Sequence, residues 1–270
     1  MDRLQRAFHS LEGLSVGDAL GGFFKFSQGT VSRRITERSV PQGIRHWTDD
    51  TQMALALVAV LQETGGIDQD RLAVSLATHY ERARGYGMAS RAVLKGIRAD
   101  GDWRTHAARV FQGQGSYGNG CASRVPPVGA YFADDLEAVI AHARRCAEVT
   151  HAHPEAGAGA IAVAVATAWA WRLRDTKRPS RSTFIDLVLP SVPTSMVREK
   201  LRSARNLPDS TDVPTAVATL GNGSRTTVQD TVPLALWCAG EQLDSYRPSG
   251  RHWRRRAIAT QPARLSAALW

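Results

Sequence analysis

Apolar and polar positions along the chain alternate with the period of helices. Leu4, Ala7, Phe8, Leu11 and Leu14 recur at three- and four-residue spacing, which predicts an amphipathic helix over 2–18. Residues 22–47 mix glycines, Pro41 and both charges and read as a long loop. A strongly apolar helix is predicted over 51–63, stopped by Gly65 and Gly66. Further helices are predicted over 68–83 and 89–99, then a glycine-rich stretch at 113–120. Residues 134–148 carry acids in the first turn and arginines later, which suits the helix dipole. An exposed turn at 172–182 precedes helices over 183–189, 194–204, 213–220 and 228–240. No useful run alternates with the period of a strand, and no repeat is present. The pattern predicts an all-α fold, one compact helical domain.

The stretch 156–171 is uncharged for 16 residues and consists largely of alanine. A bilayer span needs roughly 20 strongly apolar residues. The expectation is therefore a buried helix whose small side chains admit close neighbours, and no membrane partner. The first 20 residues carry charges at Asp2, Arg3, Arg6 and Glu12, unlike a secretory leader. Three cysteines, Cys121, Cys146 and Cys238, are too few and too scattered for a disulfide framework. Both features lead to an expected cytoplasmic location.

Composition fits a globular chain, with 43% apolar and 22% charged residues over 270 positions. The net charge of +9 would suggest a nucleic-acid partner, but it is unevenly placed. Residues 247–270 hold six arginines and no acid, so 1–246 carries only +3. The basic signal belongs to the tail, and a nucleic-acid partner is not expected for the body.

Four local constellations carry chemistry. Thr48, Asp49, Asp50 and Thr51 stand where the long loop gives way to an apolar helix. A hydroxyl and two carboxylates form a hard-oxygen set suited to Mg²⁺, Mn²⁺ or Ca²⁺, and equally an ordinary N-cap with acids in the first turn. Gly115, Ser116, Tyr117, Gly118, Asn119 and Gly120 can bring backbone N–H groups to a phosphate, with Tyr117 stacking on a base or sugar and Asn119 bonding a hydroxyl. The same residues also suit a flexible turn, and the Lys-Ser/Thr ending of a Walker loop is absent. His151 and His153 precede Pro154 and Glu155 at the start of the alanine-rich helix. They suit hydrogen bonding as well as ligation, because a zinc site needs further ligands and the spacing of His46 and His79 supplies none. Asp18, between Gly17 and Gly21, is either an exposed helix-terminal acid or an acid that orients a ligand-binding loop.

Taken in order, Gly17-Asp18-Ala19-Leu20-Gly21, Trp47-Thr48-Asp49-Asp50-Thr51, Ser116-Tyr117-Gly118-Asn119-Gly120 and Thr150-His151 resemble the ADP-ribosylglycohydrolase family. The likeness covers residues 8–246, including the helix at 228–237. It implies an all-α hydrolase with a binuclear Mg²⁺ or Mn²⁺ centre at the base of an ADP-ribose cleft. By that likeness Thr48, Asp49 and Asp50 are metal ligands, and Asp49 and Asp50 the catalytic carboxylates. Ser116, Tyr117, Gly118 and Asn119 lie along the ADP-ribose, and His151 lines the same cleft. The implied reaction is hydrolysis of the bond between ribose C1″ and an acceptor such as arginine or serine, on an ADP-ribosylated protein or small molecule.

Two departures from that family change the expectation. Many relatives have an acid seven residues after the Gly-Asp pair; here Lys25 stands there. The family's late Asp-x-Asp-Thr motif, half of the metal site, is missing after Trp237, where the only acids are Glu241 and Asp244. The domain is thus expected over 1–246, followed at 247–270 by an arginine-rich tail with the composition that a shifted reading frame in GC-rich DNA gives. Two carboxylates cannot balance two divalent cations, so the binuclear site is expected to be incomplete and catalysis reduced or absent. The competing expectation is a protein that holds ADP-ribose or a related nucleotide without cleaving it.

Overall fold

The computed structural model describes residues 1–21, 46–241 and 243. Its helices are α1 (Arg3–Gly21), α2 (Asp49–Thr64), α3 (Gln69–Thr78), α4 (Met88–Asp100), α5 (Trp103–Arg109), α6 (Gly120–Ser123) and α7 (Pro126–Tyr131). They continue as α8 (Leu136–Glu148), α9 (Pro154–Leu173), α10 (Arg181–Val188), α11 (Met196–Asn206), α12 (Val213–Leu220) and α13 (Val228–Gly240). Short 3₁₀ turns occupy Arg82–Arg84 and Leu189–Ser191. Among the described residues there is no strand, only one isolated antiparallel bridge between Gly118 and Thr227. The all-α expectation holds.

Helix α9 is the spine. Ala156, Ala158 to Val165, Ala166 and Ala168 are buried, and α6, α7, α8, α10 and α13 pack around it. Small side chains let the backbones close in. A side chain at Gly129 of α7 would run into the Ala164 carbonyl oxygen and stand 2.9 Å from Cβ of Thr167. One at Gly159 would stand 2.7 Å from Cβ of Val228. Interiors packed to this density leave no room for a methyl group. With 20 residues, α9 is long and apolar enough to cross a membrane by composition alone, but 67% of its most apolar window is buried inside the protein.

Several boundaries differ from the periodicity. Helix α3 ends at Thr78 instead of reaching residue 83. Arg98 of α4 donates to the Ala77, Thr78 and Tyr80 carbonyls, taking over the bonds that a longer helix would have used. Helices α5, α6 and α7 were not predicted, being seven, four and six residues long. The segment expected as an exposed turn at 172–182 holds Arg181, which is buried and bonded to Glu241 and the Leu207 carbonyl. Asp244 and the whole tail at 247–270, like Lys25, lie outside the described residues.

Candidate functional site

The site begins at the C-terminal end of α1. Asp18 is 1% exposed, so the exposed-acid reading fails. Its Oδ2 accepts the Thr48 backbone N–H at 2.6 Å and the Thr51 hydroxyl at 2.8 Å, while Oδ1 accepts the Thr48 hydroxyl at 2.7 Å. These bonds pin the first turn of α2. Thr48 is also its N-cap, accepting from the Asp50 N–H at 3.4 Å. Capping and site-building are thus one arrangement here. Asp50 is 7% exposed. Asp49 faces the 85–86 segment: a side chain at Gly85 would stand 3.9 Å from its Oδ1. Burial, and then the negative charge of Asp49, push the Tyr86 hydroxyl well above the ordinary tyrosine range.

The glycine-rich stretch is no flexible turn. Phe111, Gln112, Gly113 and Gly115 all take positive φ, which coils the chain back on itself. Ser116 Oγ accepts the Gly118 N–H at 3.1 Å. The Asn119 N–H donates to the Thr226 carbonyl at 2.9 Å and the Val228 N–H to the Tyr117 carbonyl at 3.1 Å, forming the bridge. The Asn119 side chain donates to the Thr231 hydroxyl at 3.0 Å. Its amide thereby anchors the loop on α13.

Above this loop stands an aromatic shelf that periodicity did not reveal. Tyr117 lies against Phe111, stacked at 6.4 Å between ring centroids and 28° between planes. On its other side it meets His153 edge-on at 5.0 Å. Phe111 is 59% exposed, an apolar ring held open to solvent beside a glycine loop. His153 itself caps α9, accepting the Glu155 N–H at 3.1 Å. His151 is 3% exposed and borders the loop: a side chain at Gly118 would stand 3.2 Å from its Nε2. Burial first, and the charge of Arg124 second, lower its pKa to about 3. Burial pushes the Cys121 thiol up to about 12 and raises that of Cys146, which removes both as nucleophiles.

The acid pair and the loop meet through Met53. One turn after Asp49 and Asp50, its Cε would lie 3.6 Å from a side chain placed at Gly120, and its sulfur accepts from Arg124 at 3.4 Å. Met53 thus links the helix that begins with Asp49 and Asp50 to the loop at Gly120, which His151 borders. Among the described residues, no group of three or more His, Cys, Asp or Glu is placed to hold a metal ion.

The sequence model of the ADP-ribosylglycohydrolase family matches residues 1–257. The chain belongs to that family. The ADP-ribosylhydrolase ARH3 of Xenopus tropicalis is 32% identical over 155 residues, 53% of this chain and 44% of that protein. ARH3 of Homo sapiens is 32% identical over 166 residues, 55% of this chain and 45% of that protein. ARH3 of Gallus gallus reaches 36% over 111 residues, 40% and 30%. The chain thus matches less than half the length of these relatives. A solved structure described as an ADP-ribosylglycohydrolase-related protein complex shares the fold, with a TM-score of 0.66 at 22% identity, covering 99% of this chain and 87% of that one. This ADP-ribosylglycohydrolase-family chain has the all-helical scaffold of its solved structural neighbour.

Proposed function

We propose that the chain takes the ADP-ribose part of an ADP-ribosylated protein or small molecule into this region and hydrolyses the ribosyl C1″ bond, slowly. The observation that supports the reading is Met53, which ties the helix that begins with Asp49 and the buried Asp50 to the glycine loop with its aromatic shelf, the acid turn being pinned by Asp18. Family membership supports it.

Tyr117 and Phe111 offer ring faces to the adenine. Ser116 and Gly118 offer the close backbone that a diphosphate needs. Asp49 and Asp50 stand at the start of α2, where carboxylates stabilise the positive charge that develops at C1″ when the glycosidic bond breaks. In this proposal one of them accepts the proton of the attacking water.

The donor chemistry of Thr48, Asp49 and Asp50 fits one hard divalent cation, Mg²⁺ or Mn²⁺. Such an ion supplies positive charge that holds ribose hydroxyls and polarises water. Asp49 and Asp50 supply two negative charges and do not balance two divalent cations, so the proposed stoichiometry is one ion and the turnover low. Cys121 and Cys146, both buried thiols, suit the reducing compartment proposed here, the cytoplasm.

Calorimetry with Mg²⁺ and then ADP-ribose, followed by ADP-ribose release from arginine- and serine-linked substrates, tests the reading. One ion, micromolar ADP-ribose binding and measurable slow release are expected. Binding without release in the presence of Mg²⁺ would make the chain an ADP-ribose carrier. No binding of either ligand would overturn the proposal.

A further inference from the structure

Arg124, just beyond α6, is fully buried, yet no carboxylate among the described residues lies within ion-pair distance of it. Its donors go to uncharged acceptors. Nε meets Cys146 Sγ at 3.3 Å, Nη2 meets the Cys146 carbonyl, and Nη1 meets Met53 Sδ at 3.4 Å and Thr150 Oγ1 at 2.9 Å. A buried guanidinium without a counter-ion is costly, so its retention calls for a reason.

The reason lies in the direction of its bonds. A guanidinium only donates. Thr150 Oγ1 must therefore accept from Arg124; its hydroxyl meets no other acceptor among the described residues, so we assign its proton to Nδ1 of His151 at 2.7 Å. With Nδ1 accepting, a neutral imidazole carries its proton on Nε2. That nitrogen faces the glycine loop, at the spot where a side chain on Gly118 would stand 3.2 Å from it and 3.3 Å from Ser116 Oγ. Among the described residues no acceptor meets Nε2. A histidine that is 3% exposed thus aims an unmatched donor at the absent side chain of Gly118.

We infer that Arg124 and Thr150 form a one-way hydrogen-bond relay that locks His151 as its Nε2–H tautomer, so that the ring presents a fixed, uncharged donor to a phosphate oxygen of the nucleotide seated against Gly118. The identity of the ligand rests on the proposed function; the tautomer does not. Burial and the Arg124 charge also keep the ring neutral. The opposite tautomer would point a lone pair at the anion. Arg124 and Thr150 touch no ligand themselves and act as positioning residues.

Two-bond ¹H–¹⁵N spectra of the ¹⁵N-labelled full-length protein test this. His151 is assigned among the eight histidines by its loss in His151→Gln. The expected pattern is an unprotonated Nδ1 and a protonated Nε2, unchanged between about pH 5 and 8. Thr150→Ser keeps the pattern. Thr150→Val mixes the tautomers and weakens ADP-ribose binding about tenfold, the loss of one hydrogen bond to an anion. An Nδ1–H ring in the wild type, or an unchanged pattern in Thr150→Val, overturns the relay. The wild-type spectrum decides the matter even where a variant fails to fold. An Nε2–H ring in a protein that binds no ADP-ribose upholds the relay and sinks the functional reading. An Nδ1–H ring in a protein that does bind it has the reverse meaning.

Discussion

Asp18 and Thr48, thirty residues apart, are joined twice: the Thr48 N–H reaches Oδ2 at 2.6 Å and its hydroxyl reaches Oδ1 at 2.7 Å. Both carboxylate oxygens are engaged, and Thr51 adds a further bond at 2.8 Å. The link ties α1 to the turn that carries Asp49 and Asp50, so the acid pair inherits its position from Asp18.

Asp18→Asn tests that dependence. An amide has one acceptor oxygen instead of two and turns an N–H₂ toward donors. Hydrogen bonds to a charged partner contribute about 1.5–3 kcal/mol each, so stability should fall by roughly 2 kcal/mol or more. Mg²⁺ affinity should weaken at least about tenfold although Asp49 and Asp50, the acids of the proposed ion site, both remain. Urea unfolding and calorimetry measure the two effects. Unchanged Mg²⁺ uptake would show that the turn holds its shape without Asp18.

The aromatic shelf makes a selective prediction. Stacking of a base on an aromatic ring is worth about 1–3 kcal/mol. Phe111→Ala and Tyr117→Ala should each weaken ADP-ribose about 5- to 150-fold and leave ribose-5-phosphate, which has no adenine, unaffected. Titration calorimetry with both ligands gives the comparison. Equal losses for the two would place the adenine elsewhere.

Acid should destabilise the fold through His151. The ring has a pKa of about 3 when folded, against 6.5 for a free histidine. As pH falls below 6.5, the unfolded chain takes up a proton that the native ring refuses. This contribution to stability is complete above 6.5 and is lost progressively as pH falls toward 3, by up to about 1.4 kcal/mol per pH unit. Urea midpoints followed from about pH 4.5 to 7 should slope more steeply for the wild type than for His151→Gln. Parallel slopes would mean that the ring is protonated in the native state.

Gly129→Ala probes the packing of α7 on α9. The added methyl meets the Ala164 carbonyl and Cβ of Thr167, both on a helix buried on every side. Overpacking of this kind costs about 1–3 kcal/mol, and a backbone atom in the way puts the change at the upper end. The thermal midpoint should drop by several degrees. A midpoint equal to that of the wild type would mean that α7 can slide.

Much of this was legible in the chain. Helix α13 spans 228–240 and α12 spans 213–220, as periodicity predicts, because apolar runs with clear stops at both ends specify their own limits. The acid pair, the glycine loop and His151 stood out as residue types that chemistry favours. What could not be read was tertiary. The truncation of α3 comes from Arg98, twenty residues further on. Phe111 looks like an ordinary apolar residue until its left-handed backbone and its partner Tyr117 are seen. Helices α5, α6 and α7 are too short for periodicity to register. The relay through Arg124 joins residues whose spacing carries no recognisable pattern.

Helix α9 has a further consequence. Its N-terminal end is capped by His153, with His151 two residues earlier, while its middle fits its neighbours without slack. A shift of this rod along its axis would carry both imidazoles with it. Sequence drift in the alanine run is therefore judged far from where it occurs. A single extra carbon deep in the interior would therefore disturb the ends of the rod as well as its middle, and with them the setting of His151 beside the glycine loop.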